Sequence, residues 1–274
     1  MSYNYGPAFI TGAGSGIGRA MAIQLAAAGS PVALADVNEE GIKAAAAEIE
    51  AAGGKAITFK LDVSDRAAVM AAVQATNEAF GGIGFIANNA GVTLTDLVST
   101  MQESDFRWLM EINFWGVVHG TQAALPLMLK QGRGHIINIS SLFGLIGVPS
   151  QSAYCAAKHA VKGFNESLHY ELAGTGVSVH SVHPGGVNTN IVRGGRHRRN
   201  AEGDTDTTKM QSSFQPLAIT TPDEAAKVIL SGVANGDYRI IVGKDARFAD
   251  RFQRFFPNLW RKFFGRGLKR RKAF

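Results

Sequence analysis

Short β-branched or apolar runs alternate along the chain with longer, Ala-rich stretches of helical period. The runs Ala8–Thr11, Val32–Ala35, Ala56–Leu61, Gly84–Ala87, His135–Ile139, Val177–Val182 and Arg239–Val242 read as strands. Helix candidates lie between them, near 16–28, 39–52, 65–80, 103–130, 151–173 and 222–234. In the first helix Ile17, Met21, Leu25 and Ala28 recur so as to face the sheet. In the second, Asp36 or Asn38 supplies the cap and Gly53-Gly54 the stop. Parallel strands require crossovers, and the helices that make them cover both faces. The expected fold class is therefore α/β, a doubly wound, seven-stranded parallel sheet in a single domain over residues 1–246. Ligands of such sheets bind beyond the carboxyl ends of the strands.

Composition narrows the class. The chain has 274 residues, 46% of them hydrophobic and 18% charged, as in a globular enzyme. A single cysteine, Cys155, offers no intramolecular disulfide. The first residues lack the basic and apolar regions of a secretory signal, and no uncharged run is long enough to span a bilayer, so a cytoplasmic protein is expected. The net charge is +6, but residues 247–272 hold ten of the 28 Lys and Arg and one acid, Asp250. The remainder carries 18 basic and 21 acidic residues, a net of −3, so a nucleic-acid-binding body is not indicated. Residues 193–215 are polar, basic and poor in pattern, and read either as a lid over a site or as a surface loop.

Candidate chemistry gathers after the strands. The first strand runs into Thr11-Gly12-Ala13-Gly14-Ser15-Gly16-Ile17-Gly18 and then a helix. Glycines there let the backbone approach a pyrophosphate, which the helix N-terminus attracts. The spacing Gly12-x-x-x-Gly16-x-Gly18 resembles the cofactor loop of the short-chain dehydrogenase/reductase family. The same resemblance runs through Asp62-Val63, Asn88-Asn89-Ala90-Gly91, Asn113, Asn138-Ile139-Ser140-Ser141, Tyr154-x-x-x-Lys158 and Pro184-Gly185-Gly186-Val187-Asn188-Thr189. Read independently, Asp62 is also a helix cap, the Asn-Gly element a turn and Asn113 a locally satisfied polar residue.

The resemblance implies a Rossmann-type domain and a dehydrogenase. Its cofactor would be bordered by Gly12, Gly14, Ser15, Gly16, Ile17, Gly18, Asp36, Asp62, Val63, Asn89, Ala90, Gly91, Tyr154, Lys158, Pro184, Gly185, Val187 and Thr189. Asp36, ending the second strand, would accept the adenosine ribose hydroxyls and repel a 2′-phosphate. Ser15 and Val37 carry no charge, so NAD is expected in preference to NADP, with Arg19 the one nearby cation. Asn113, Ser141, Tyr154 and Lys158 would be catalytic. Tyr154 and Lys158 lie four apart on one helical face, where an ammonium favours phenolate. Tyr154 would exchange the proton with an alcohol or carbonyl as hydride passes to or from NAD, Ser141 would bond the substrate oxygen, and Asn113 would hold a water linking Lys158 to solvent. Cys155 reads as packing, and no metal is expected.

By family position the substrate pocket is lined by Leu142, Phe143, Gly144, Leu145, Ile146 and residues 93–97, which suits a lipophilic secondary alcohol such as a hydroxysteroid or retinol. Arg193, Arg196, Arg198 and Arg199 favour instead an acidic 3-oxoacyl thioester, unless they are a solvated run. A homodimer or homotetramer is expected. The tail, 247–274, departs from the family: Phe248, Phe252, Phe255, Phe256, Leu259, Phe263 and Phe264 recur among basic residues, with Pro257 dividing two short helices. It would pack on the body or a partner subunit, or make peripheral contact with a membrane, and in the last case a lipid-surface role could outweigh catalysis.

Overall fold

In β1 (Ala8–Thr11) successive side chains point to opposite faces of the sheet, yet every one is buried, so Ala8 and Ile10 join one apolar cluster and Phe9 another. Both faces are thus covered, as continuous apolar strands require. The computed structural model describes residues 4–191, 194–201, 203–206, 208, 219–260 and 262. Arg193 and most of 202–215, with Phe263 and Phe264 of the tail, lie outside the described residues.

The main sheet also contains β2 (Val32–Asp36), β3 (Ala56–Lys60), β4 (Phe85–Asn88), β6 (Gly134–Ile139), β7 (Val177–Pro184) and β9 (Arg239–Val242). All seven strands are parallel, in the order β3-β2-β1-β4-β6-β7-β9. A two-stranded sheet that periodicity did not predict pairs β5 (Leu94–Thr95) with β8 (Arg196–His197). The main sheet reverses its winding at β1, which pairs with β2 on one side and β4 on the other, and a crevice opens beyond their carboxyl ends.

One face is covered by α1 (Gly16–Ala27), α2 (Glu39–Ala51) and α7 (Pro222–Ala234), the other by α3 (Arg66–Phe80), α5 (Gly116–Gln131) and α6 (Ser152–Glu171). Asn38, rather than Asp36, caps α2 by accepting from the Gly41 N–H at 3.1 Å. Asp65 caps α3, and Thr221 and Glu224 form a reciprocal capping box on α7. Ala28, expected to face the sheet, is instead the half-buried end of α1, and Ala22 and Ala26 fill that role.

The helix expected over 103–130 is three pieces. It begins as α4 (Glu103–Met110), widens to a π turn over Glu111–Trp115, and resumes as α5. A π turn re-aims its side chains and is over-represented at functional sites. Here it turns Asn113 fully inward. In the tail α8 (Lys244–Phe255) ends ahead of Pro257, where a new helical run starts, since proline suits a first turn but not an interior.

Phe9 is fully buried, its ring 6.2 Å from that of Phe59. Phe9→Ala is expected to cost about 3–5 kcal/mol in urea unfolding; a loss under about 1 kcal/mol would mean that this layer repacks freely.

Candidate active site

Two loops close the crevice, and they are laced together. The Thr11 hydroxyl donates to the Ala87 carbonyl (3.3 Å) and accepts from the N–H groups of Asn89 (3.0 Å) and Ala90 (3.1 Å). The Asn89 amide in turn donates to the carbonyls of Thr11 (3.0 Å) and Gly12 (3.2 Å). This leaves no room for side chains beneath the loop. A Cβ at Gly12 would stand 2.8 Å from the Asn89 amide nitrogen, and one at Gly18 would meet the Gly12 carbonyl. Gly12 and Gly16 also take φ of +65° and +55°, which favour glycine. Ser15 starts α1 without a side-chain cap, so the first turn keeps donors for an anion.

Asp36 accepts from the Gly14 N–H through one carboxylate oxygen and from the Asn38 N–H through the other, both at 2.9 Å. Each oxygen retains a lone pair. Arg19 pairs with Glu48, so the one cation near this loop already has a partner. Asp62 folds its own turn by accepting from the Ser64 N–H (2.9 Å) and hydroxyl (2.8 Å). The Val63 carbonyl receives the Nδ1–H of buried His119 at 3.0 Å. On the opposite wall Asp245, in the first turn of α8, accepts from the Gly186 N–H at 2.8 Å, and any Cβ at Gly185 would strike that carboxylate. Thr189 closes over the glycine loop, its methyl 3.1 Å from where a Gly16 Cβ would stand.

The crevice, about 530 Å³, brings together Gly12, Ser15, Gly16, Ile17, Asp36, Asp62, Val63, Asn89, Ala90, Gly91, Pro184, Gly185, Val187 and Thr189 with Ser141, Tyr154 and Lys158. Gly14 and Gly18 lie just behind this wall, Gly14 on Asp36 and Gly18 under Gly12. Asn113 lies behind it too. Its carbonyl oxygen accepts from the Val92 N–H and its amide donates to the Val92 carbonyl, each at 2.8 Å. The side chain expected to hold a water is therefore engaged with the backbone. It still approaches the catalytic pair, since a Cβ on Gly91 would be 3.2 Å from Asn113 Oδ1 and 3.6 Å from Lys158 Nζ.

α6 carries Tyr154 and Lys158 on one face. Lys158 is buried, donates to the Ile139 carbonyl at 2.9 Å, and sits 5.7 Å from the centre of the Tyr154 ring. The Ser140 hydroxyl donates to the Lys158 carbonyl at 2.8 Å, which ties the end of β6 to this helix. Burial pushes the Lys158 ammonium down to about 8 and the Tyr154 phenol up to about 12, with the Ser141 hydroxyl opposing the latter. Burial therefore opposes the expected drop of the phenol toward neutrality. Loss of water contact is the largest cause for each, although Tyr154 is half-buried and lines the crevice while Lys158 is fully buried.

Behind Ser141 runs a chain of polar side chains that sequence reasoning missed. A carbonyl can only accept, so at 3.2 Å His183 must donate its Nδ1–H to the Ser141 carbonyl. Burial drives His183 down to about 4, leaving it neutral, and its Nε2 then accepts from the Ser181 hydroxyl at 3.1 Å. The Ser181 oxygen accepts from the Asn165 amide (3.1 Å), Asn165 from Asn138 (2.7 Å), and Asn138 from Asn88 (2.7 Å). Every donor points toward Ser141. Alternating polar positions inside apolar strands carry no sign of which neighbour they meet, and only Asn88 and Asn138 stood in the motifs.

The pocket residues differ from expectation. Leu142, Phe143 and Leu145 are half-buried beside the crevice rather than on its wall, with the Phe143 ring edge-on to Tyr154 at 6.1 Å. Thr93, Leu94, Thr95 and Asp96 are buried in and beside β5. The apolar side chains that line the crevice include instead Val92, Trp108, Ile112 and Ile191, and Val92 and Trp108 share an apolar cluster with Tyr154. Arg196 and Arg198 both bind buried Asp105, at 2.6 and 3.0 Å, and Arg196 lies 3.9 Å over the Trp108 ring. Arg198, and Arg196 after it, hold the Asp105 carboxyl below its usual range against the effect of burial. Only Arg199 of these three presents its side chain to solvent without a described partner role in this clamp, its backbone N–H meeting the Thr95 carbonyl.

The family model described as short chain dehydrogenase matches residues 7–200. SadH of Mycobacterium tuberculosis is 41% identical over 263 residues, 95% of this chain and 94% of that one. The 2,5-dichloro-2,5-cyclohexadiene-1,4-diol dehydrogenase LinX of Sphingobium indicum is 36% identical over 87% of this chain and 92% of its own. Among solved structures, a short chain dehydrogenase/reductase from Burkholderia phymatum in complex with NAD superposes with a TM-score of 0.85, at 31% identity, over 94% of this chain and 96% of that one.

Because His183 is held neutral down to about 4, against 6.5 when unfolded, the unfolded state binds its proton first as pH falls. Its contribution to stability is present above pH 6.5 and is lost as pH drops toward 4. Urea unfolding should show about 2 kcal/mol of this loss between pH 7 and pH 5. His183→Asn keeps a donor for the Ser141 carbonyl and should lack that share of the acid sensitivity; equal sensitivity in both proteins would refute the neutral assignment.

Proposed function

The chain belongs to the short-chain dehydrogenase/reductase family and is an oxidoreductase acting on CH–OH groups with a nicotinamide dinucleotide, and on that footing we propose that it interconverts an apolar secondary alcohol and its ketone with NAD as the preferred coenzyme. The observation that carries this reading is the convergence of Ser141, Tyr154 and Lys158 on one crevice whose lining includes the apolar side chains of Val92, Trp108, Ile112 and Ile191, with Val92 and Trp108 in the same apolar cluster as Tyr154. A wall of that kind recognises a ring or chain without polar substituents. LinX is named for a cyclic diol, which is in keeping with a ring-bearing alcohol.

The residues present fit a dinucleotide. Gly12, Gly16 and Gly18 leave backbone where side chains would stand, and the uncapped start of α1 offers N–H donors to a pyrophosphate. Asp36 would hold the adenosine ribose, Asp62 and Val63 would border the adenine, and Asn89 to Gly91 would lie along the middle. Lys158 would bond the second ribose, with Pro184, Gly185, Val187 and Thr189 around the carboxamide. The coenzyme, when bound, supplies the hydride acceptor and a positively charged ring near the phenol.

The protein's own part is proton handling and orientation. Ser141 Oγ accepts from the Phe143 N–H at 3.1 Å, which leaves its proton for the substrate oxygen. In reduction Tyr154, a neutral phenol with its value near 12, gives its proton to the oxygen as the alcohol forms. In oxidation the phenol must first give its own proton to solvent, a loss that the positively charged coenzyme ring and the Lys158 ammonium, mostly charged at neutral pH with a value near 8, would favour, and the resulting phenolate then takes the alcohol's proton. The Asn113 amide is occupied by Val92, so the side chain by itself is not the place where a water relaying protons to Lys158 would be held.

What supports NAD over NADP is that each Asp36 oxygen accepts only one N–H bond and would be left to a ribose hydroxyl, that Val37 is apolar, and that Arg19 is paired with Glu48. An acidic thioester substrate is less well supported, because Arg196 and Arg198 are bound to Asp105. An apolar alcohol partitions into membranes, and the tail has the composition of a segment that would meet one.

With NAD and a panel of apolar secondary alcohols, Tyr154→Phe should lower kcat by roughly 10²–10⁴, read by nicotinamide absorbance. Undiminished turnover would overthrow the proposed roles. Asp36→Ser combined with Val37→Arg should shift the ratio of NADP to NAD turnover upward by about tenfold or more; comparable use of both coenzymes by the unaltered protein would refute the NAD preference.

A further inference from the structure

Helix α8 presents three different faces. Ala246, Ala249 and Asp250 are buried against the body. Opposite them, Phe248, Phe255, Phe256 and Leu259 are 65%, 76%, 55% and 53% exposed. Phe252 joins this stripe, its ring 5.8 Å from Phe248 and 5.7 Å from Phe256. Arg247, Arg251 and Arg254 run along one edge of the stripe and are exposed. Both acids of the helix are turned inward, Asp250 to Arg239 at 2.6 Å and Asp245 to the Gly186 N–H at 2.8 Å. Its outward charge is therefore positive. On that same edge a groove of about 530 Å³ between α7 and α8 is lined by Lys227, Arg247 and Arg251 together with Asp237 and the Arg239–Asp250 pair.

We propose that this face docks on an anionic lipid surface, the aromatic stripe entering the interface while Arg247, Arg251, Arg254 and Lys227 meet the headgroups. Among the described residues nothing of the body covers the stripe, and an exposed apolar area of this kind marks an interaction surface. Charge decides what. Two copies joined face to face would bring together two tails that each hold ten basic residues and one acid, and that acid already has a partner. An anionic bilayer complements the same charge and takes aromatic rings at its boundary. The docked helix also packs on the turn Leu142–Gly144 beside the crevice and, through Asp245, on the Gly185-Gly186 turn, so lipid contact would bear on the substrate side of the enzyme. The inference goes beyond the catalytic reading and does not require it.

Flotation of the full chain with vesicles of phosphatidylcholine, alone or mixed with phosphatidylglycerol, tests this. Binding is expected only to the mixed vesicles and should weaken as salt rises. Phe255→Ser with Leu259→Ser, and separately Arg251→Gln with Arg254→Gln, should each weaken binding by about tenfold or more, while NAD-linked turnover of a water-soluble alcohol stays unchanged. No binding to either vesicle, or binding that both double variants leave intact, would overturn the proposal. So would a drop in oligomeric state of the Phe255→Ser/Leu259→Ser protein by light scattering without loss of vesicle binding, which would assign the face to a second copy. Because turnover is followed in the same samples, failure of docking and failure of the dehydrogenase reading are separately visible.

Discussion

The lacing of Thr11 and Asn89 across the ends of β1 and β4 is the contact on which the site depends. Where the sheet reverses its winding, neighbouring strands send their chains in opposite directions, and the backbone groups at their ends lose ladder partners. One hydroxyl and one amide satisfy five of them. The glycine requirement follows directly, because Asn89 occupies the space that side chains at Gly12 and Gly18 would need. A crevice held open by such short bonds is in place before any ligand arrives, which favours binding by reducing the ordering cost.

In the Tyr154–Lys158 pair desolvation is the leading influence on both groups. Enclosing Tyr154 and Lys158 disfavours both charged forms, so the chain alone stores a neutral phenol beside a weakened ammonium. Ile139 and Ser140 fix the lysine and its helix against β6, while Asn113 fixes Val92. These bonds leave the pair little freedom to rearrange. Such a pair is geometrically ready, and its charge balance awaits the positive ring that a bound coenzyme would bring.

Buried polar groups in the sheet support that geometry at a cost. The chain from Asn88 to His183 is directional, and it ends on the carbonyl of Ser141. One atom of this chain is left over: among the described residues the Asn88 carbonyl oxygen has no partner, and it presses on Gly120, where any Cβ would collide with it. An unsatisfied buried acceptor costs about 1–3 kcal/mol, so this core is not arranged for stability alone. His135 repeats the theme nearby, donating to His180, which in turn donates to the Asp237 carbonyl.

The seven strands and their helices were legible because local rules act on each alone: apolar runs such as Val32–Leu34 must be covered on both faces, and glycine positions announce where backbone comes close. The glycine loop, Asp36, Ser141, Tyr154 and Lys158 were legible for a related reason, since each stands at a fixed offset from a strand end or on one helix face. Spacing could not reveal the π turn that buries Asn113, the Asp105 clamp on Arg196 and Arg198, or the exchange of Leu142, Phe143 and Leu145 for Val92, Trp108, Ile112 and Ile191 on the wall. Those contacts join residues tens of positions apart, and no local pattern encodes a partner at such distance. Proton affinities depend on it even more. An i,i+4 pair predicts that Tyr154 and Lys158 meet, but how much water surrounds them is a property of the whole fold, and only the tertiary structure decided how far each is buried.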